Sequence, residues 1–289
     1  MPSTRTGLLR LASPPEARRQ AEAWRAEGLS VGLVPTMGAL HRGHLSLVER
    51  ARRENDRVIV SVFVNPLQFG PGEDFERYPR DLEADLHQLD QPGADAVYTP
   101  SVEAMYPPDA TTRVQVGAVG QPLEGEFRPG HFEGVATVVL KLFNACRPHR
   151  AYFGQKDAQQ VAVVGRMARD LDTGVEIVAC PTVREPDGLA LSSRNAYLST
   201  EERAAATVLS RALRQAAQAW ADGERDPGRL RAAMHEVLRE EPLARPDYAE
   251  VVDPATFRPG LPLAVLAVRV GSTRLIDNHD LSVPFPRVQ

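Results

Sequence analysis

Cysteine is scarce: Cys146 and Cys180 are the only two in 289 residues. They cannot build a disulfide framework, and neither has a metal-site partner at close spacing. Lysine is equally scarce, with Lys141 and Lys156 standing among arginines. A lysine kept in such a background marks either a place where the planar guanidinium does not replace a compact ammonium, or chance. Long apolar runs are missing as well. The stretch around Val135–Val139 is far too short to span a bilayer, and the arginine-bearing N-terminus shows no continuous apolar segment. No membrane span and no signal peptide are expected, which makes the cytoplasm the default location. No single sign of charge dominates: 34 basic against 38 acidic residues give −4. That balance argues against a nucleic-acid partner and leaves room only for local pockets that take small anions. Walker A, GxGxxG and GxSxG patterns are absent too, so P-loop, dinucleotide-fold and serine-hydrolase readings lose their main support.

With 43% hydrophobic and 25% charged residues, the chain has the composition of a globular protein with a sizeable core, in one large domain or two. Pro14–Glu27 reads as an amphipathic helix stopped by Gly28, Val31–Pro35 as a buried strand, and His44–Glu54 as a helix with Leu45, Val48 and Ala51 on one face. Arg57–Val64 is nearly continuous in β-branched residues and suits a central parallel strand. Helices at Arg80–Leu89, Phe132–Cys146 and Ala158–Leu171 alternate with strands at Ala94–Tyr98, Ala151–Phe153 and Val175–Cys180, and loops are expected at Asn65–Pro79 and Gly117–Gly130. This alternation predicts an α/β fold with a doubly wound parallel sheet, whose ligands lie beyond the carboxyl ends of the strands. After about Cys180 the pattern changes. A polar loop (Arg184–Asn195), two helical stretches (Thr200–Asp222, Asp226–Glu240) and strands at Tyr248–Val252, Leu263–Val270 and Thr273–Ile276 predict a smaller α+β domain, hence a division into 1–180 and 181–289.

Four segments have residues suited to chemistry. In VPTMGALHRGHL (Val34–Leu45) a strand runs into glycines and then into a helix start, with His41 and His44 on one side. Backbone N–H groups, the positive helix end and two imidazoles would face an anion there. A metal pair or a surface helix cap is the alternative, although no HExxH pattern supports zinc. FGQKDAQQ (Phe153–Gln160) repeats the strand–glycine–helix arrangement, with Lys156 able to reach phosphates, Asp157 suited to an N-cap and Gln160 one turn on. LSSRN (Leu191–Asn195) offers Ser192 and Ser193 hydroxyls and the Arg194 fork as an anion clamp, though such triplets are common in loops. NPLQF (Asn65–Phe69) supplies neutral amides at Asn65 and Gln68 that suit a hydroxy acid, or simply a strand-ending turn. Arg128 and His131 in RPGHF are either loop residues or cleft residues.

Taken in order, PTMGALHRGH, FVNPLQF, RPGHFEGV, FGQKDAQQ and LSSRN resemble the pantothenate synthetase family (pantoate–β-alanine ligases, AMP-forming) of the HxGH nucleotidyltransferases. YPR at Tyr78–Arg80, PTVRE at Pro181–Glu185 and TRLIDN at Thr273–Asn278 extend the resemblance over most of the chain. It implies a Rossmann-like domain, a smaller C-terminal lid and a homodimer. It also implies that pantoate and MgATP form pantoyl adenylate, which β-alanine converts to pantothenate and AMP. By the same resemblance, His41, His44, Lys156 and Arg194 would be catalytic. Pro35, Thr36, Met37, Gly38, Gly43, Gly154, Asp157, Val183, Leu191, Ser192 and Ser193 would join them around ATP. Met37, Asn65, Gln68, Val139 and Gln160 would bind pantoate, and Asp85 would lie near magnesium. Gln155 and Leu191 depart from the Glu and Met usual in the family. The rival reading is an adenylyltransferase acting on a phosphorylated acceptor, which calls for more cationic residues than NPLQF offers; a third is a catalytically silent nucleotide-binding module.

Overall fold

Runs of Val, Ile and Leu with no polar alternation form strands that must be covered on both faces, and the chain builds its first sheet from such runs. The structure, a computed structural model, describes residues 7–286; the first six residues of the arginine-bearing N-terminus, where no signal peptide is expected, lie outside it. In chain order the first elements are β1 (Leu9–Leu11), α1 (Pro14–Ala26), β2 (Val31–Thr36), α2 (Arg42–Glu54), β3 (Arg57–Val62), α3 (Leu82–Leu89), β4 (Ala96–Tyr98), α4 (Val102–Met105) and α5 (Glu124–Phe127). They are followed by α6 (His131–Cys146), β5 (Arg150–Gly154), α7 (Ala158–Asp170) and β6 (Glu176–Cys180). The six strands form one parallel sheet in the order β1-β4-β3-β2-β5-β6. From the β2–β5 pair the chain runs outward to β3 and β4 on one side and to β6 on the other, so the strand order reverses there, the point at which open α/β sheets place ligands.

Alternation along β2 and β3 decides what each face meets. Val34, Val58 and Val60 pack with Leu47, Val48 and Ala51 of α2 and with Leu86 and Leu89 of α3. Leu33 and Ile59 point the other way and are fully buried as well; each such side chain contributes about 1.5–3 kcal/mol on leaving water. Short β1 has too few residues to show a period and forms by pairing Leu9–Leu11 with Ala96–Tyr98. The segment expected to be loop at 117–130 holds a 3-10 turn (Ala118–Gly120) and α5.

The rest of the chain forms α8 (Thr200–Ala205), α9 (Val208–Ala221), α10 (Pro227–Arg239), β7 (Ala244–Val252), β8 (Leu263–Val270) and β9 (Thr273–Asp280). The three strands pair antiparallel as β7-β8-β9, with α9 and α10 packed on them through Leu209, Leu213, Leu230 and Met234. The single helix expected over 200–222 is divided at Ala206–Thr207. There the ladder tightens to i−3 bonds (Thr207 N to Ala204 O, Leu209 N to Ala206 O), and the Thr207 hydroxyl also donates to Ala204 O. Two compact units result. Of the described residues, one comprises 7–116, 128–154 and 163–180; the other comprises 117–127, 155–162 and 181–286.

In the second unit, buried ions tie 117–127 to the sheet. Arg274 of β9 donates to both Glu124 oxygens (2.8 and 2.6 Å) and to Asp247 (2.6 Å), and the Tyr248 hydroxyl donates to Glu124 Oε1 at 2.8 Å. Gln159 completes the attachment: its Nε2 donates to Val119 O and Pro122 O, and its Oε1 accepts from Glu124 N.

His279 of β9 is buried, donates Nε2–H to Val283 O and lies against the Phe285 ring. Burial holds its imidazolium below the usual range against the pull of that carbonyl. The unfolded chain therefore takes up a proton first, and stability present above about pH 6.5 declines as pH falls toward the depressed native value. Urea unfolding at pH 7.5 and 5.5 should show this decline in the parent protein and a shallower one in His279→Gln; equal slopes would remove His279 as its source.

Candidate active site

Thr36 ends β2 and fastens the following loop, donating Oγ1–H to Ser61 O at 2.7 Å and accepting from Gly38 N at 3.2 Å. Gly38 has φ +84°, and a Cβ there would lie 2.8 Å from Asp85 Oδ2, so the turn needs glycine for both conformation and space. Asp85, in the first turn of α3, accepts from Ala39 N (3.1 Å) through Oδ2 and from Leu40 N (2.7 Å) through Oδ1. Burial pushes its carboxyl above the usual carboxylate range, while these two donors oppose the shift. The loop that carries Met37 and leads to His41 is thus held at three successive backbone N–H groups.

Helix α2 begins at Arg42, earlier than the expected His44, because histidines cap it. His41 Nδ1 accepts from Gly43 N at 3.1 Å, and His44 Nδ1 accepts from His41 N at 3.3 Å, a reciprocal capping box. The rings lie 4.0 Å apart between centroids, tilted by 30°. Two backbone amides expected to face an anion go instead to the imidazoles. Because each Nδ1 accepts, the proton of each neutral ring sits on Nε2, which makes Nε2–H the donor of both side chains.

The amides of NPLQF bond to one another. Asn65 is 1% exposed, starts the 3-10 turn Pro66–Gln68, and accepts at Oδ1 from Leu67 N and from the Tyr106 hydroxyl (2.9 Å). Its Nδ2 donates to Gln68 Oε1 (3.1 Å) and Gly134 O (3.1 Å). Gln68 in turn directs Nε2–H toward Met37 Sδ at 3.0 Å. The orientation of both amides follows from this chain, and Gln68 acts as a donor. Burial pushes the Tyr106 phenol up, so it donates throughout the working pH range; Lys141 Nζ lies 5.7 Å over its ring. Arg128 and His131 act on the same turn. His131 Nδ1 lies 2.8 Å from Gln68 O, Arg128 Nη1 lies 3.1 Å from His131 Nε2, and Arg128 grips Glu73 with two 2.7 Å bonds. Burial alone would raise the Glu73 carboxyl, but the guanidinium outweighs it and holds it below the usual range. Val139, on α6 with His131, is buried.

Residues of the second unit form another group. After Gly154 ends β5, Gln155–Asp157 make a 3-10 turn, with Lys156 Nζ 3.8 Å from Asp157 Oδ1. Gln160 follows in α7, part-buried. Val183 O accepts from Leu191 N, and Arg184 and Ala190 form an antiparallel bridge beneath the LSSRN loop. Ser192 Oγ accepts from Arg194 N at 3.3 Å, capping the 3-10 helix Ser193–Tyr197. The first unit contains Pro35, Thr36, Met37, Gly38, His41, Gly43, His44, Asn65, Gln68, Asp85, Val139 and Gly154; the second contains Lys156, Asp157, Gln160, Val183 and Leu191–Arg194.

Among the described residues no cluster of three or more His, Cys, Asp or Glu side chains could hold a metal ion. Asp85 has both oxygens turned to backbone donors and is 2% exposed. This donor set does not fit a resident magnesium ion, which demands near-octahedral oxygen ligation and keeps several waters.

Sequence reasoning missed Tyr106, Gly134 and the Glu73–Arg128 pair. A Cβ on Gly134 would lie 2.2 Å from Leu67 O and 2.7 Å from Gln68 N, so helix α6 touches the turn through bare backbone. Gly134→Ala must displace that turn, at a cost of about 1–3 kcal/mol. Chemical denaturation should register this as a lower midpoint, whereas an unchanged midpoint would mean the turn relaxes freely.

The model of the family described as pantoate-beta-alanine ligase matches residues 10–280. A curated pantothenate synthetase of Rubrobacter xylanophilus is 60% identical over 286 residues, covering 94% of this chain and 98% of the relative. The crystal structure of pantothenate synthetase from Thermus thermophilus superposes with a TM-score of 0.89 at 51% identity, covering 95% of this chain and 99% of that one. A pantoate-beta-alanine ligase of Francisella tularensis, complexed with beta-gamma ATP and beta-alanine, gives 0.82 at 33% identity, covering 97% and 100%. The chain belongs to the pantoate–β-alanine ligase family.

Proposed function

We propose that this chain condenses pantoate with β-alanine at the expense of ATP. The observation that carries the reading is the pair of histidine caps, which set two Nε2–H donors side by side at the carboxyl end of β2, in a chain of this family. A pantoate carboxylate oxygen attacks the α-phosphorus in line and expels pyrophosphate, forming pantoyl adenylate. The β-alanine amine then attacks the acyl carbon, AMP leaves with the bonding electrons, and the amine loses a proton.

Neither step needs a covalent bond to the protein; positioning and charge neutralisation supply the rate. In this reading His41 and His44 donate to phosphate oxygens, and Lys156, Ser192, Ser193 and Arg194 act on the same triphosphate. Pro35, Thr36, Met37, Gly38, Gly43, Gly154, Asp157, Val183 and Leu191 line the nucleotide. Gln68, aligned by Asn65, donates to a pantoate oxygen, with Met37, Val139 and Gln160 beside it. Magnesium arrives with the triphosphate as part of the substrate, and Asp85 shapes the loop. A homodimer belongs to the same proposal and rests on the family resemblance, while the cytoplasm is the default location expected from the sequence.

Mixing protein, MgATP, pantoate and β-alanine should yield pantothenate, AMP and pyrophosphate by chromatography, and pyrophosphate exchange into ATP should require pantoate. ATP bound without AMP production would favour a silent nucleotide-binding module. Lys156→Ala should slow adenylation by roughly 10²–10³-fold, the range for losing a preorganised donor. Lys156→Arg should also be poor, because a planar fork does not fill a point-charge site. Near-native exchange in folded Lys156→Ala would take Lys156 out of the mechanism.

A further inference from the structure

The turn that carries Lys156 is held by a side chain 122 residues away in sequence. Asn278, on β9 and 5% exposed, donates from its single Nδ2 to Gln155 O and to Lys156 O, both at 2.8 Å. Two main-chain carbonyls on consecutive residues thus share one amide nitrogen. A primary amide suits this role because one short side chain presents two N–H bonds in a fixed plane; serine has one donor and aspartate none. Each bond is part-buried, and a carbonyl shielded from water and left unmet costs free energy.

Asn278 is itself firmly placed. Its neighbour Asp277, 2% exposed, accepts from Arg184 Nη1 at 2.6 Å and Nη2 at 2.9 Å, and from Asn278 N at 2.8 Å. Arg184 Nη2 reaches Asn278 O as well. Arg184 also pairs with Ala190, the residue before Leu191, and donates to Gly188 O. One end of β9 therefore holds the Lys156 turn through Asn278 and the base of the LSSRN loop through Asp277 and Arg184. Two cation-bearing segments, far apart in the chain, are referred to one rigid strand.

We propose that Asn278 is a positioning residue for Lys156: it sets the ammonium's height relative to Ser192–Arg194, so that both meet the phosphates together. The inference rests on Lys156 acting on ATP phosphates. Loss of the two bonds lets the turn shift, and displacements near 1 Å cost on the order of 10²-fold in rate.

The test is pyrophosphate exchange in Asn278→Ala and Asn278→Ser, alone and combined with Lys156→Ala. Asn278→Ala should lower the exchange kcat by about 10–100-fold and leave the pantoate KM unchanged. Asn278→Ser, which keeps one donor, should lose less. In the Lys156→Ala background, Asn278→Ala should cost less than about twofold more, the non-additivity expected of residues acting through one another. A full multiplicative loss in that background would overturn the proposal, as would near-native exchange in either folded Asn278 variant. Should Asn278→Ala fail to fold, Asn278→Ser carries the same cycle. If Lys156→Ala alone is near native, the reading of Lys156 falls and the proposal with it. If only the Asn278 variants are native-like, the proposal falls alone.

Discussion

One buried carboxylate shapes the loop that leads into the candidate site of the first unit. Asp85 receives the amides of Ala39 and Leu40, and Gly38 leaves room for its oxygen. Remove that anchor and two of the three amides that hold the loop between Thr36 and His41 lose their acceptor, and Met37, which meets the Gln68 amide, sits on that loop. A carboxylate suits this task because it accepts several N–H bonds at once and donates none when ionised. Its burial is tolerable only because those bonds exist, as the opposed influences on its proton affinity illustrate.

The same economy recurs around the NPLQF turn, where side chains align one another and the backbone beside them. Tyr106 aligns Asn65, Asn65 aligns Gln68, and Gly134 lets the helix approach close enough for Asn65 to reach its carbonyl. His131 and Arg128 hold the other side of that turn. Polar residues so bonded keep a single geometry, which acyl transfer through positioned substrates requires.

How much of this could be read in the sequence follows from the range of each interaction. β3 was legible because a continuous β-branched run has one sensible fate, a covered parallel strand. The helix after HxGH was legible as an element but misplaced at its start, since the capping side chains are imidazoles rather than the usual hydroxyl and carboxylate. The division of 200–222 escaped because Thr207 has unremarkable helical surroundings and shows its effect only through a hydroxyl bond to Ala204. The segments of the proposed site were visible as motifs. Their supports were not, because Asn278 and Tyr106 belong to no local pattern that names their partners. RPGHF was visible without a role; its arginine and histidine prove to grip the Gln68 turn.

The ionic stitching of Glu124 to Arg274 and Asp247 has a bearing on how the molecule could be taken apart. A fragment beginning at residue 181 would keep Arg274, Asp247 and Tyr248 but lose Glu124, and lose the Gln159 amide that fastens the Glu124 segment. An arginine that is 16% exposed would then face one carboxylate where it had two, and stripping a partner from a buried ion is among the costlier changes a fold can suffer. The second unit is thus assembled from three stretches of chain, and no single cut would release it intact.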